Sequence, residues 1–246
     1  MKKTGIIIGL LLIIALSLGF VALKSQARGS DDNFFNRELR QSFAENTWLR
    51  RVLELHYDGD AQSDYLGKRY TSILIEVDSL DTQTIRLEAL NNLVKKIQEI
   101  TGKETSYLVS DRNIIDRREI GERDIEEITA RYRHHFNHGD TATVYLLMAS
   151  VDAQDADKLG TTFRDYGVVL FAKALDEVTR DNPDTLSNYE LSTALHEFGH
   201  QLGLPHNEQP GCLMNEQVEL KRDERPADVV VDFCDYEKVL IKEFIQ

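Results

Sequence analysis

One short segment carries the residue types of a metal centre. The sequence HEFGHQLGLPH begins at His196 and places His200 one helical turn later, so both imidazoles share one face of a helix. Glu197 is rotated away from that face, which suits a carboxylate that acts on a water instead of binding the metal. Gly203 allows the helix to end and the chain to turn back, which brings His206 round as a third ligand. Three imidazoles leave the fourth tetrahedral position of zinc open, as in catalytic sites.

The chemistry expected of these residues is hydrolysis of peptide bonds. A single zinc ion held by the three histidines would acidify a water and polarise a carbonyl, with Glu197 as general base. Other interpretations stay open: histidines that merely decorate a surface helix, a structural zinc, or a catalytically idle zinc-containing binding module at the cell surface. A structural zinc does not need Glu197, so we expect a zinc-dependent endopeptidase.

The segment resembles the signature of the metzincins, HExxHxxGxxH followed by a methionine turn. Met214 follows His206 by eight residues and occupies the position of that methionine, which in the family packs beneath the metal without binding it. The spacing is most similar to that of archaemetzincins, in which a Cys-x-Met pair forms the turn. The resemblance implies a zincin-like α/β fold: a mixed, twisted sheet with an antiparallel edge strand, an active-site helix that carries HExxH, and a short C-terminal subdomain.

Departures from the archaemetzincin pattern concern a second, structural zinc site. The family's four cysteines correspond here to Asn207, Cys212, Cys234 and Glu237, so only two of the four are present. The resemblance is specific over residues 187–237 and only architectural over residues 70–171. It therefore implies one catalytic zinc ion and loss of the structural one.

The two cysteines are expected to pair. An exported domain meets an oxidising environment, and an even number of cysteines there favours a disulfide, here between Cys212 and Cys234. Two buried thiols, or a residual metal site that includes Glu237, are the alternatives.

The pattern upstream of the metal segment alternates between strands and helices, which indicates an α/β core with parallel strands. We predict strands at 72–77, 105–109 and 143–149 and helices at 82–101 and 123–136, the first helix capped by Asp81 and stopped by Gly102. Its stripe of Leu87, Leu90, Val94 and Ile97 should face the sheet. A short closing helix is expected at 239–245.

The residues around the metal helix suggest how it is held. Residues 160–171 read as one extended run interrupted by Gly167, suited to a sheet edge that can pair with a peptide. The metal-binding helix is expected to start at a capping box formed by Ser187 and Glu190. Its predicted core stripe has helical spacing and comprises Leu191, Ala194, Leu195, Phe198 and Leu202.

The N-terminal thirty residues look like an export segment. Lys2 and Lys3 precede 19 residues without a charge, from Gly5 to Leu23, a length that favours an uncleaved membrane anchor over a signal peptide cut after Ala27. Either interpretation places the remaining chain outside the cytoplasm. The segment has four basic residues and no acidic one, which leaves 25 basic against 42 acidic side chains, a net charge of −17. Nucleic acid is therefore excluded as an expected partner, and peptides or proteins remain as substrates.

The 246 residues divide by this pattern into an export segment at 1–30, a helical stalk or extension at 31–69, and a catalytic domain at 70–246. Two further groups of possible metal ligands are better explained by surface roles. His134, His135 and His138 would sit at the end of a helix, and the acidic residues of 152–157 lack the spacing of a calcium loop. The sequence specifies no oligomeric state.

Overall fold

A computed structural model of the chain describes residues 2–28, 33–53, 55, 60–80, 83–110, 114, 119–164, 166–215 and 229–245. Within these ranges it describes all side chains except those of residues 2–8, 10, 11, 28, 37, 41, 45, 47 and 51. The chain forms two compact units, Met1–Tyr57 with His134–Gly139, and Asp58–Arg133 with Asp140–Gln246. The predicted boundaries after residues 30 and 69 stay predictions.

The first unit is helical. It contains α1 (Lys2–Arg28), a π-helical turn (Phe35–Leu39), α2 (Arg40–Glu45) and α3 (Thr47–Leu53). Among the helices that the described residues form, none has both the length and the apolarity needed to cross a membrane. The side chain of Arg40 is buried, and its Nη1 donates to the carbonyl of Ala27 at 2.9 Å and to Asn36 Oδ1 at 3.0 Å. A small apolar cluster of this unit comprises Ala27, Phe35, Ala44, Leu53 and Leu55.

A five-stranded mixed sheet forms the centre of the second unit, with the strand order β2-β1-β3-β5-β4. The strands are β1 (Ser72–Ser79), β2 (Glu104–Val109), β3 (Thr141–Ala149), β4 (Gly160–Phe163) and β5 (Gly167–Phe171). All neighbouring strands are parallel except β4, which runs antiparallel to β5 at the edge. The predicted mixed sheet with an antiparallel edge strand is confirmed. The central β3 and β5 are almost wholly buried, as expected for parallel strands.

The extended run at residues 160–171 forms two strands and not one. Gly160 to Phe163 and Gly167 to Phe171 pair as a hairpin, with Thr162 opposite Val168. Arg164 in the connection has a positive φ of 50°, which the turn requires. Gly167 is therefore the first residue of β5 rather than an interruption within a strand. A β-carbon at this position would crowd the carbonyl of Phe163 across the turn, at 3.1 Å.

Six helices surround the described part of the sheet. They are α4 (Ala61–Leu66), α5 (Leu87–Thr101), α6 (Glu122–Tyr132), α7 (Ala172–Val178), α8 (Leu186–Gln201) and α9 (Asp235–Ile245). The prediction that the second of these begins at residue 82 is wrong: residues 83–86 are not helical, and the proposed cap Asp81 lies outside the described residues. Leu87 consequently lies at the first turn and is 63% exposed, whereas Leu90 and Ile97 are buried as predicted. Gly102 ends α5 in a left-handed conformation, with φ 70°.

The helix with the metal segment begins differently from the prediction. A short 3-10 turn (Pro183–Thr185) leads into α8, so Ser187 lies within the first turn and forms no capping box. Glu190 instead accepts a hydrogen bond from the backbone N–H of Arg86, at 3.0 Å from its Oε2. This contact joins the segment before α5 to α8. The backbone N–H of Arg86 therefore takes the place of the local backbone N–H that the Ser-x-x-Glu pattern suggested as the partner of Glu190.

The C-terminal part of α8 is anchored by α4. The ring of Tyr65 packs at 5.3 Å from the ring of Phe198, and Gln62 Nε2 donates to the carbonyl of Leu202 at 2.9 Å. All five residues of the predicted core stripe of α8 are buried. The helix is also covered on its other sides, since every residue from Leu191 to Gly199 is buried. The two helical histidines are therefore held in a well-packed element.

Candidate metal centre

The three predicted histidine ligands converge in the second unit. His206 Nε2 lies 3.1 Å from His196 Nε2 and 3.0 Å from His200 Nε2. Gly203 ends α8 with φ 84°, and the N–H of Leu204 donates to the carbonyl of Gly199 at 3.0 Å. This reversal is what carries His206 back to the helix. His196 is fully buried, and His200 is partly buried.

The hydrogen bonds of two of the rings define which nitrogen can bind a metal. His196 Nδ1 lies 2.7 Å from the carbonyl oxygen of Leu213, and His200 Nδ1 lies 3.0 Å from that of Leu204. A carbonyl oxygen only accepts, so each of the two Nδ1 atoms carries a proton, and in the neutral ring the Nε2 atom then presents a lone pair. Backbone carbonyls that fix ligand tautomers in this way are typical of metal-bound histidines.

The donor set fits zinc. Lone pairs directed into a space about 3 Å across would repel one another without a cation between them. Ligand nitrogens at about 2.0–2.1 Å from a tetrahedral zinc ion are about 3.3 Å apart, close to the separations observed. His196, His200 and His206 would therefore hold the ion, and a fourth position remains for a water or a substrate oxygen.

Met214 is fully buried against the helix that carries His196 and His200. Gly199, between the two ligands of α8, makes room for it: a β-carbon on Gly199 would overlap Met214 Sδ and would lie 3.1 Å from the ring of Phe233. Met214 is thus closely packed against α8 at Gly199, which is consistent with the methionine turn that the resemblance implies.

Glu197 is held on the side of α8 that faces the edge strand. Thr162 Oγ1 on β4 lies 2.8 Å from Glu197 Oε2 and 2.9 Å from the backbone carbonyl of Glu197. The glutamate is 1% exposed, so its orientation is restricted by packing as well as by this hydroxyl. The role of Thr162 was not predicted from the sequence, since no spacing relates a threonine on a strand to a glutamate 35 residues later.

A second buried carboxylate, Glu237 on α9, organises the segment that carries Met214. Its Oε1 accepts from Met214 N at 2.7 Å and from Asn207 Nδ2 at 3.0 Å. Its Oε2 accepts from Cys234 N at 2.9 Å and from Leu213 N at 3.1 Å. The sequence indicated Glu237 only as a possible residual metal ligand. The backbone hydrogen bonds could not be foreseen, because they depend on how α9 docks.

Cys212 and Cys234 form a disulfide in the structure, with their Cα atoms 4.9 Å apart. A ligand atom of Glu237 lies within 4.8 Å of both sulfurs, so the three residues have the proximity of a metal site. Sulfurs that are bonded to each other offer no thiolate, however, so the residual metal site does not exist in this oxidised form. The disulfide joins the methionine turn to the start of α9.

The other candidate ligands are not brought together. In the part of the chain that the structure describes, only two groups of three or more potential ligands cluster, the three histidines of the metal segment and the group of Cys212, Cys234 and Glu237. The helix α6 ends at Tyr132, so His134, His135 and His138 follow it and lose the expected helical spacing. Asp152 Oδ1 accepts the backbone N–H groups of Gln154 and Asp155, which makes it part of a local turn.

Glu190 on α8 is a buried carboxyl group whose effect on stability should depend on pH. Burial raises the pKa of Glu190 to about 7, from an ordinary value of 4.5. Because the folded state binds the proton more tightly, the contribution to stability is complete below about pH 4.5 and is lost as pH rises through about 7. We expect Glu190→Gln to increase the free energy of unfolding relative to wild type by about 1–3 kcal/mol at about pH 8, and much less at about pH 5.

The measurement is urea denaturation of both proteins at the two pH values, with zinc at a saturating concentration. The difference between variant and wild type is compared, so that effects of pH on the rest of the protein cancel. An equal difference at both pH values would contradict the assignment of a raised pKa to Glu190.

Comparison with known proteins found one family model and several solved structures that are similar to this chain. Residues 117–235 match the family model of the matrixins. Archaemetzincin from Methanopyrus kandleri has a similar fold, with a TM-score of 0.51 and 14% identity over 72% of this chain and 97% of that chain.

Two further solved structures match with lower TM-scores. Archaemetzincin from Archaeoglobus fulgidus, in complex with malonate, has a TM-score of 0.42 and 19% identity over 68% of this chain and 98% of its own. A zinc-dependent peptidase from Methanocorpusculum labreanum has a TM-score of 0.42 and 14% identity over 68% and 99%. No curated protein matches the chain.

Proposed function

We propose that this chain is a zinc-dependent endopeptidase of the metzincin type that acts outside the cytoplasm, with Glu197 as general base. The match of residues 117–235 to the matrixin family model and the fold shared with an archaemetzincin support this proposal. The observation that carries the proposal is the convergence of three histidine Nε2 atoms, two of them from α8, the helix that also carries Glu197. A structural zinc site would use all four positions for protein ligands, whereas this one provides three.

The reaction divides between the metal and the protein. Zinc, when bound, acidifies a water and polarises the peptide carbonyl. Glu197 accepts a proton from the attacking water as the new C–O bond forms. It then delivers that proton to the amine nitrogen as the C–N bond breaks, so the carboxylate is regenerated at the end of each turnover. Thr162 orients the carboxylate for both transfers through its hydroxyl.

The substrate is proposed to bind in an extended form along β4. In the described residues this strand pairs only with β5, on one of its two edges. Its other edge presents backbone N–H and C=O groups with the spacing of a peptide strand, so main-chain hydrogen bonds would provide affinity. Because Thr162 belongs to β4 and contacts Glu197, a peptide on this edge would lie near the general base.

The test of this function is a peptide-library digest with the purified full-length chain, before and after treatment with a zinc chelator. We expect internal cleavage that chelation abolishes and added zinc restores. A zinc-loaded protein that binds peptides but leaves them intact would instead identify a catalytically idle binding module. Release of single residues from the peptide ends would show that the chain is a peptidase but not an endopeptidase.

The extracytoplasmic location is supported by two features. Lys2 and Lys3 precede the uncharged run of 19 residues, a pattern of export segments. The Cys212–Cys234 disulfide also suits an oxidising compartment, since disulfides are rare in the cytosol. We expect a protease that cannot cross the cytoplasmic membrane to digest the protein when it is added to cells whose cytoplasmic membrane is intact. Protection of the protein until that membrane is lysed would overturn the proposed location.

The fate of the N-terminal segment is decided by a separate measurement. N-terminal sequencing of the mature protein and carbonate extraction of membranes distinguish an anchor from a signal peptide. An intact N-terminus and resistance to carbonate identify the anchor that the sequence favours. A soluble form that begins at Arg28 identifies cleavage after Ala27.

Thr162 provides a test of how Glu197 is oriented. Thr162→Val keeps the shape of the side chain and removes the hydroxyl that donates to the carboxylate. We expect kcat to fall about ten- to a hundredfold, the range of a hydrogen bond to a charged group, with KM little changed. Thr162→Ser retains the hydroxyl and should recover most of the activity. If Thr162→Val and Thr162→Ser have equal rates, the hydroxyl does not position Glu197.

A further inference from the structure

Glu237 has the contacts of a residue that supports the metal centre from a distance. Its side chain is 1% exposed, and its two oxygens accept four hydrogen bonds, all from N–H groups. A buried charge is costly unless such donors offset the loss of water. Three of these donors belong to the segment between His206 and Met214, and the fourth belongs to Cys234.

One peptide group connects Glu237 to a zinc ligand. The peptide between Leu213 and Met214 donates its N–H to Glu237 Oε1 at 2.7 Å, and its C=O accepts from His196 Nδ1 at 2.7 Å. A hydrogen bond at one end of a peptide group polarises the other end, and a charged acceptor does so most strongly. The carbonyl of Leu213 thereby becomes a stronger acceptor for the imidazole proton.

From this chain of contacts we propose that Glu237 is a positioning residue for the metal centre, which acts on His196 through the Leu213–Met214 peptide group. Metal-bound histidines commonly donate the N–H of their second ring nitrogen to a carboxylate, which fixes the ring and increases the basicity of the ligand nitrogen. Here the carboxylate acts through an intervening peptide group.

A second path leads from Glu237 to another ligand. Asn207, the residue after His206, donates its side-chain amide to Glu237 Oε1 at 3.0 Å, and its backbone N–H donates to the carbonyl of Met214 at 2.9 Å. Glu237 therefore fixes both the carbonyl that orients His196 and the loop that carries His206. Its loss should weaken metal binding even where the fold is retained.

The experiment compares the zinc affinity of Glu237→Gln with that of wild type, by competition with a chromogenic chelator at neutral pH. Glutamine keeps the size of the side chain but removes the charge and one acceptor oxygen. We expect the Kd for zinc to rise about 10- to 100-fold, the usual effect of losing an outer partner of a metal ligand. A matched control is Glu190→Gln, a second buried carboxylate on the ligand-bearing helix without a contact to the ligands, whose Kd should stay within about twofold of wild type.

The outcomes separate the proposal from a general effect on stability. A Kd for Glu237→Gln within twofold of wild type, or an equal rise in both variants, would overturn it. The inference rests on the zinc centre of the proposed function, but its measurement is metal affinity. If the zinc Kd of Glu237→Gln equalled that of wild type, the proposed peptidase function would still stand. If wild type bound zinc but cleaved no peptide, the role of Glu237 in metal binding would still stand.

A measurement on the wild type covers the case in which Glu237→Gln does not fold. The amide protons of Leu213 and Met214 both donate to Glu237, but only that of Met214 belongs to the peptide group that binds His196. Zinc withdraws electrons from the imidazole and should strengthen the hydrogen bonds of this peptide group cooperatively. We expect zinc to shift the Met214 amide proton resonance further downfield than that of Leu213. Equal shifts would overturn the proposal.

Discussion

Glu197→Gln is expected to retain zinc and to lose about 10²- to 10⁴-fold in kcat/KM for peptide hydrolysis, the contribution typical of a positioned general base. The glutamine keeps the size of the side chain and can still accept the hydrogen bond from Thr162, so the local packing should persist. It cannot accept a proton from water at neutral pH. The measurement is steady-state cleavage of a peptide identified by the library digest, together with the zinc content of the same preparation.

The control is His200→Ala, which removes a ligand from the same helix. This variant should lose both zinc and activity, since two histidines bind zinc far more weakly than three. Glu197→Gln with wild-type rates would refute the general base. If the two variants lost zinc equally, Glu197 would be needed for the metal site itself.

The part of the site that could be predicted from the sequence is the part that helix geometry determines locally. His196 and His200 are separated by one turn of any α-helix, and Gly203 is among the few residues that favour a left-handed end, here with φ 84°. The position of His206 follows from those two facts. The strands were predictable from local sequence as well, because runs such as Ile73 to Val77 are too apolar to lie at a surface.

The features that the sequence did not predict depend on tertiary contacts. Ser187 and Glu190 have the spacing of a capping box, but the docking of α8 against the segment before α5 gives Glu190 the N–H of Arg86 as its partner. Whether 160–171 forms one strand or a hairpin depends on pairing with β3. Thr162 and Glu237 reach the metal segment only once β4 and α9 have packed, so no local pattern announces them.

Removal of the disulfide by Cys212→Ala together with Cys234→Ala is expected to lower the free energy of unfolding by about 3 kcal/mol. In the chain-entropy model, a disulfide between residues 22 positions apart lowers the conformational entropy of the unfolded chain, and the loss corresponds to about 3 kcal/mol. Alanine replaces both partners, so no single thiol remains to form intermolecular bonds. The measurement is urea denaturation of the zinc-loaded proteins, with equal slopes required for the comparison.

Zinc binding separates the role of the disulfide from that of Glu237. The hydrogen bonds that Glu237 accepts from Leu213, Met214 and Asn207 do not involve either sulfur, so the alanine pair should bind zinc nearly as well as wild type. Wild type treated with a strong reductant provides a second comparison, and it should be destabilised to a similar degree. If the alanine pair unfolded at the same urea concentration as wild type, the cross-link would contribute nothing to stability. If it folded normally but lost zinc, the disulfide itself, rather than Glu237, would hold the methionine turn beneath the histidines.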